Sequence, residues 1–125
     1  MPKNKKSSGS TQHELVQCNI EYVGFQNELK ELEPLQYDSV FNCIEKIEKM
    51  TWAQIYATSS KGAGKRGINW EVLTHQKTAT GGTIATIRVS DKFRARVTRD
   101  GVVMSFISLH PDHDSAYKGH GGEDV

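Results

Sequence analysis

Two rhythms of apolar and polar residues run along this chain, and the changes between them predict its layout. From Leu15 to Tyr22 (LVQCNIEY) the alternation has a period of two, with either Val16, Cys18, Ile20 and Tyr22 or Leu15 and Val23 on the buried side. That pattern predicts a strand, and Gly24 breaks it. Phe25, Leu29 and Leu32 then fall at i, i+4 and i+7, one face of a short helix over Phe25 to Glu33 that stops before Pro34. Leu35 to Tyr37 reads as a turn and Asp38 as the N-cap of a longer helix. In that helix Val40, Phe41, Ile44 and Ile47 share a face, with Glu45, Lys46, Glu48 and Lys49 in water. Met50 to Tyr56 either continues it or forms a second short helix capped by Thr51.

Beyond the Gly- and Lys-rich loop Ser59 to Gly67 (SSKGAGKRG), the period returns to two. Trp70 to Thr74, Thr83 to Val89 and Phe93 to Thr98 read as strands, the last two joined by the turn Ser90-Asp91-Lys92. Asp100-Gly101 marks a second tight turn. Val102 to Leu109 (VVMSFISL) is nearly all apolar, which predicts a strand buried on both faces at the sheet centre. Residues 1–14 read as a disordered basic tail and residues 119–125 (GHGGEDV) as a flexible one, leaving 15–118 as a single domain. The expected class is α+β: an N-terminal strand, two helices, then a three- to four-stranded antiparallel sheet.

The chain has 125 residues, one ordinary domain, and its apolar fraction of 36% fits a core with polar tails. No run approaches eighteen apolar residues, and the first ten lack the apolar stretch of a secretory signal, so no membrane span and no export are expected. Cys18 and Cys43 form no paired CxxC spacing, which argues against a zinc knuckle, a thioredoxin motif or a disulfide framework. A reduced, cytoplasmic protein is the expectation. The net charge of +1 hides an uneven distribution. Glu14 to Ser59 holds eight acidic and three basic residues, whereas Ser60 to Asp100 holds nine basic and three acidic ones. A basic stretch of this kind meets phosphate or an acidic partner, or it is a solvated face balancing the acidic helices.

Strand parity sharpens this. Ala85, Ile87 and Val89 alternate with Thr86 and Arg88, and Phe93, Ala95 and Val97 alternate with Arg94, Arg96 and Thr98. If the two strands pair, Arg88, Arg94 and Arg96 share one face, free for a ligand if the helices cover the other. Guanidinium is permanently charged and its forked donors match a phosphate. Lys61, Lys65 and Arg66 of the loop and Lys92 of the turn add further cations. That loop lacks GxxxxGK[ST] and is not a P-loop. A second cluster, His110-Pro111-Asp112-His113-Asp114-Ser115-Ala116-Tyr117, follows the apolar strand. It has three readings: acid–base chemistry, since histidine titrates near neutrality; a metal site, for which no further His or Cys cluster supplies ligands; or a polar turn.

The order strand, helix, helix, antiparallel strands resembles the RelE/ParE superfamily of toxins from toxin–antitoxin pairs. IEYVGFQNELKEL resembles the family's opening, WEVLTH its first strand after the helices, and IRVSDKFRARVTRDGVVMSFISLHPDHDSAY its closing strands. The resemblance spans about residues 15 to 118. It implies a fold of the microbial-ribonuclease type and cleavage of mRNA, commonly in the ribosomal A site, by attack of the 2′-hydroxyl on the adjacent phosphorus. No metal or other cofactor is implied. Arg88, Arg94 and Arg96 match the basic strand residues that clamp the phosphate. His110 or His113 matches the C-terminal histidine and Tyr117 the C-terminal tyrosine. Glu71 is a candidate base, and the HPDHDSAY turn sets Tyr117 further along than a compact C-terminal pair. The resemblance also implies a cognate antitoxin wrapping the basic face with an acidic or amphipathic segment. Two alternatives stay open: a non-catalytic ParE-like inhibitor of a protein target such as DNA gyrase, and an inactive member that only binds RNA or a partner.

Overall fold

A computed structural model describes residues 11–58 and 67–112. Its elements are β1 (Gln17–Asn19), α1 (Val23–Lys30), α2 (Pro34–Ile47), α3 (Trp52–Ala57), β2 (Glu71–Lys77), β3 (Thr83–Arg88), β4 (Arg94–Asp100) and β5 (Val103–His110). The class is α+β, with one five-stranded mixed sheet in the order β1-β5-β4-β3-β2. β1 runs parallel to β5 and every other neighbouring pair is antiparallel. The N-terminal strand thus joins the closing strands in one sheet, which makes it five-stranded and mixed.

Local chemistry explains the helix boundaries. α2 starts four residues before the expected cap Asp38. Glu33 is its N-cap, Pro34 occupies the first turn, and Gln36 reaches back to accept from the Glu33 backbone N–H at 3.1 Å. A proline's fixed φ suits the first helical position and the reciprocal capping box satisfies two orphan donors, so this start prevails over Asp38. α3 is a separate short helix. Thr51 caps it, accepting from the Gln54 N–H at 3.2 Å while the Gln54 side chain accepts from the Thr51 N–H at 2.9 Å. β1 is only three residues of the eight expected, because it pairs β5 over Val103–Ser105 alone.

All three helices lie on one side of the sheet. Phe25 and Leu29 of α1, Val40, Cys43, Ile44 and Ile47 of α2, and Trp52 and Ile55 of α3 form one cluster with Ala85, Ile87, Ala95, Val97, Met104, Phe106 and Leu109. Phe25 and Phe106 pack with ring centroids 5.5 Å apart. β5 is buried on both faces along most of its length, as its composition predicts, but β4 is the central strand. The opposite face carries a smaller apolar group, Leu73, Ile84 and Ile107 with Tyr22 against it, and a polar cluster. Thr11 and Gln12, read from the sequence as part of the tail, are tied to the domain: Gln12 accepts from the Ala53 N–H at 2.9 Å, and Thr11 bonds Gly101 and Arg99.

Candidate functional site

The polar cluster follows from strand register. Residues paired across adjacent strands point to the same face, about 4.8 Å apart. Glu71 pairs Thr86, Thr86 pairs Arg96, and Arg96 pairs Ser108. One row thus runs Glu71–Thr86–Arg96–Ser108 across β2, β3, β4 and β5. A second row, two residues along, runs Arg88–Arg94–His110. Both rows lie on the face away from the helices, as parity predicts for the three arginines.

His110 joins them through a β-bulge. Arg96 pairs Ser108 while Val97 pairs Phe106, so Ile107 is an extra residue in β5. Before it the even positions Met104 and Phe106 face the helices; after it Leu109 does, and Ser108 and His110 turn to the arginine face. Uninterrupted parity would have sent His110 toward the core. Bulges re-aim side chains in this way beside functional sites.

This face is not open. Arg96 is 0% exposed, Arg94 6% and His110 9%, so the expectation of a free basic surface is corrected. Guanidiniums fold along the sheet when backbone carbonyls meet their donors. Arg94 shows this: its Nη1 donates to the carbonyls of Asp91 (2.9 Å), Ser90 (3.1 Å) and Phe93 (3.3 Å). It clamps the β3–β4 turn, leaving its Nε without a partner among the described residues. Arg88, half-buried, likewise has an Nε with none. The His110 Nε2 lies 2.7 Å from Ser108 Oγ, with donor and acceptor set by the tautomer. Lys92 is exposed in the β3–β4 turn, and Glu71 is half-buried at the start of β2. Lys61, Lys65, Arg66, His113 and Tyr117 lie outside the described residues.

One carboxylate escaped the sequence reading. β1 leaves β5 unpaired beyond Ser105, and Glu28 of α1 fills part of that gap, its Oε1 accepting from the Leu109 N–H at 2.6 Å. Its charge also acts on Arg96. Burial pulls the Arg96 pKa down, and Glu28 opposes the shift. Burial raises the Glu28 pKa, while the Leu109 hydrogen bond and Arg96 hold it down. Nothing in the sequence singled out Glu28. Ser108 did carry a signal, a polar residue inside an apolar run.

Among the described residues no three His, Cys, Asp or Glu side chains group to hold a metal ion. Nor is any described helix long and apolar enough to cross a membrane. Searches of protein-family models, curated proteins and solved structures return no match to this chain. The functional reading therefore rests on the geometry of these two rows and on the motifs of the sequence.

Proposed function

We propose that the chain is a metal-independent endoribonuclease of the RelE type, the toxin of a toxin–antitoxin pair, that cleaves mRNA at the ribosome in the cytoplasm. The observation that carries this reading is the row Glu71–Thr86–Arg96–Ser108 beside Arg88–Arg94–His110. In-line cleavage needs a base on one side of the phosphorus and an acid on the other. Glu71 on β2 and His110 on β5 stand three strand steps apart and two residues offset along the strands, about 16 Å between backbones, so both side chains must lean inward to reach one phosphate. Arg96 and Arg88 stand between them.

The chemistry balances with these groups. Glu71 takes the 2′-hydroxyl proton as the oxygen attacks phosphorus. The P–O5′ bond breaks, and His110 delivers a proton to the leaving oxygen. The products are a 2′,3′-cyclic phosphate and a 5′-hydroxyl. Charge gathers on the equatorial oxygens in the transition state, where the half-buried Arg88 is the preorganised donor and the fully buried Arg96 adds its charge from beneath; by analogy with oxyanion donors a direct donor is worth roughly 3–4 kcal/mol. General acid–base placement contributes about 10²–10⁴-fold. Arg94 positions: it fixes the turn that sets the β3–β4 register. His113 and Tyr117 are further candidates for the proton transfers, Lys61, Lys65, Arg66 and Lys92 for binding the RNA, and a cognate antitoxin holds the toxin in check.

Induction of the chain alone, with mapping of mRNA 5′ ends, tests this. Discrete new 5′-hydroxyl ends and growth arrest are expected, both abolished by Glu71→Gln and by His110→Ala. Intact mRNA during arrest would overturn the nuclease and move the activity to a protein target. One observation favours a second reading, a non-catalytic binder: Arg96 is wholly buried, as a structural charge would be. In that case both variants stay as toxic, or as harmless, as the parent.

A further inference from the structure

On the helix side of the sheet, α3 is six residues long and leaves Val72 of β2 and Thr83 of β3 uncovered. The result is a depression of about 450 Å³ lined by Tyr56, Trp70, Val72, Thr83 and Arg99. Arg99 is a different kind of arginine from Arg96. Its Cζ sits 4.3 Å from the Trp52 ring centroid and 5.4 Å from that of Tyr56. Its Nε donates to the Gly101 carbonyl at 2.8 Å, its Nη1 to the Tyr56 hydroxyl at 2.6 Å, and its Nη2 to Thr11 Oγ1. All three acceptors are neutral. A guanidinium has five N–H donors, so two remain without an acceptor among the described residues.

We propose that this depression docks an extended acidic segment of a partner protein, with an apolar side chain on Val72 and Tyr56 and a neighbouring carboxylate on Arg99. Three observations select that occupant. The cation is held in place by rings and neutral oxygens and has no counter-charge among the described residues, so a carboxylate gains a charge-assisted, forked contact there. Val72 and Tyr56, 42% and 36% exposed, offer apolar surface at the same spot. Among the described residues β2 is an edge strand, and the outward N–H and C=O groups of such a strand suit an extended chain. RNA fits less well, because Trp52 and Trp70 are 0% and 7% exposed and offer no free ring face for a base. The inference is independent of the nuclease reading, since Arg99 and Arg96 point to opposite sides of the sheet.

The test is an NMR titration of the full ¹⁵N-labelled chain with a capped hexapeptide alternating leucine and glutamate, against the same peptide with lysine for glutamate. Expected are shifts centred on the Val72 amide, the Trp70 indole N–H and the Arg99 Nε–H with the acidic peptide alone. Affinity should fall about tenfold or more in Arg99→Gln, the worth of a hydrogen bond to a charged group. Because Arg99 also braces Tyr56 and Thr11, Val72→Asp is the second variant. It leaves the guanidinium in place, and it should abolish acidic-peptide binding by repulsion while the amide spectrum stays folded. Equal binding of the lysine peptide, shifts confined to other surfaces, or no shift at millimolar peptide would overturn the proposal. So would the same shifts with an oligouridylate, or concentration-dependent shifts of the chain alone, which assign the surface to RNA or to a second copy.

Discussion

Arg96→Met removes the one charged side chain that is 0% exposed among the described residues. Arg96 is 0% exposed, and burial already draws its pKa below the ordinary value, so the folded state holds this cation at a cost. Methionine has similar length and no charge. Replacing a buried ionic group with an apolar one of similar volume ranges from neutral to about 1–4 kcal/mol stabilising. The partner left behind, Glu28, keeps part of its side chain in solvent and its Oε1 on the Leu109 N–H, so its partly buried carboxyl adds a penalty smaller than that of a fully enclosed charge. Arg96→Ala differs in leaving a cavity, and by analogy with Met→Ala in cores it should sit about 2–5 kcal/mol below the methionine variant. Urea unfolding followed by tryptophan fluorescence reads both numbers.

The pH dependence gives a second readout. Arg96 holds the Glu28 pKa down; without it Glu28 rises further above the ordinary carboxylate value of 4.5. A carboxyl whose folded pKa exceeds its unfolded one binds more protons when folded, so stability falls as pH rises from 4.5 through the folded pKa. The advantage of Arg96→Met over the parent should therefore be largest near pH 4.5 and shrink toward neutrality. The proposed RNA cleavage should vanish in the same variant. A methionine variant no more stable than the alanine one, and both well below the parent, refutes the argument. The guanidinium would then be a structural hydrogen-bond hub, and its burial would say nothing of function.

Four further outcomes follow from single features. Glu28→Gln should flatten the stability loss above pH 4.5 in thermal melts, because it removes the raised carboxyl; an unchanged pH profile would show that Glu28 titrates normally. Burial first, then nearby negative charge, pushes the Cys18 thiol up to about 12, and burial pushes Cys43 up to about 11, so both should resist iodoacetamide at pH 8 until the chain is unfolded. Phe106→Ala should cost about 3–5 kcal/mol in urea unfolding, since the ring is fully buried against Phe25. Gly101→Ala meets no steric contact, but φ is +61° there, so a loss of about 1 kcal/mol, on the scale of left-handed backbone strain, is expected from backbone conformation alone.

Much of this architecture was legible because its signals are local. The three arginines share a face since strand parity is rigid, and the register Thr86–Arg96, Arg88–Arg94 follows from a short turn. Thr51 caps α3 through contacts within three residues. The failures are of a different kind. The pairing of β1 with β5 joins residues more than eighty positions apart, and no periodicity announces it. Asp38 looked like a cap because aspartate caps well, yet Pro34 with the Glu33–Gln36 box starts the helix sooner. The bulge at Ile107 reverses the parity that would have misplaced His110. Burial of the arginines was invisible, because alternation reports which face a side chain takes and not what covers that face.

The arginines themselves show how a basic sequence stretch divides into roles. Arg94 and Arg99 are bonded to neutral oxygens, the first to three carbonyls of its own turn and the second to a carbonyl, a phenol and a threonine hydroxyl. Such contacts hold backbone in place whether or not a ligand ever arrives. Arg96 instead sits in a cross-strand row with a carboxylate at one end, while a second carboxylate, Glu28, acts on its charge from the β5 edge. Burying that cation costs desolvation, which the charge of Glu28 offsets in part. Arg96→Met separates the two roles such a charge can have: a stable fold that has lost the proposed RNA cleavage assigns the charge to chemistry, and a destabilised one assigns it to the sheet.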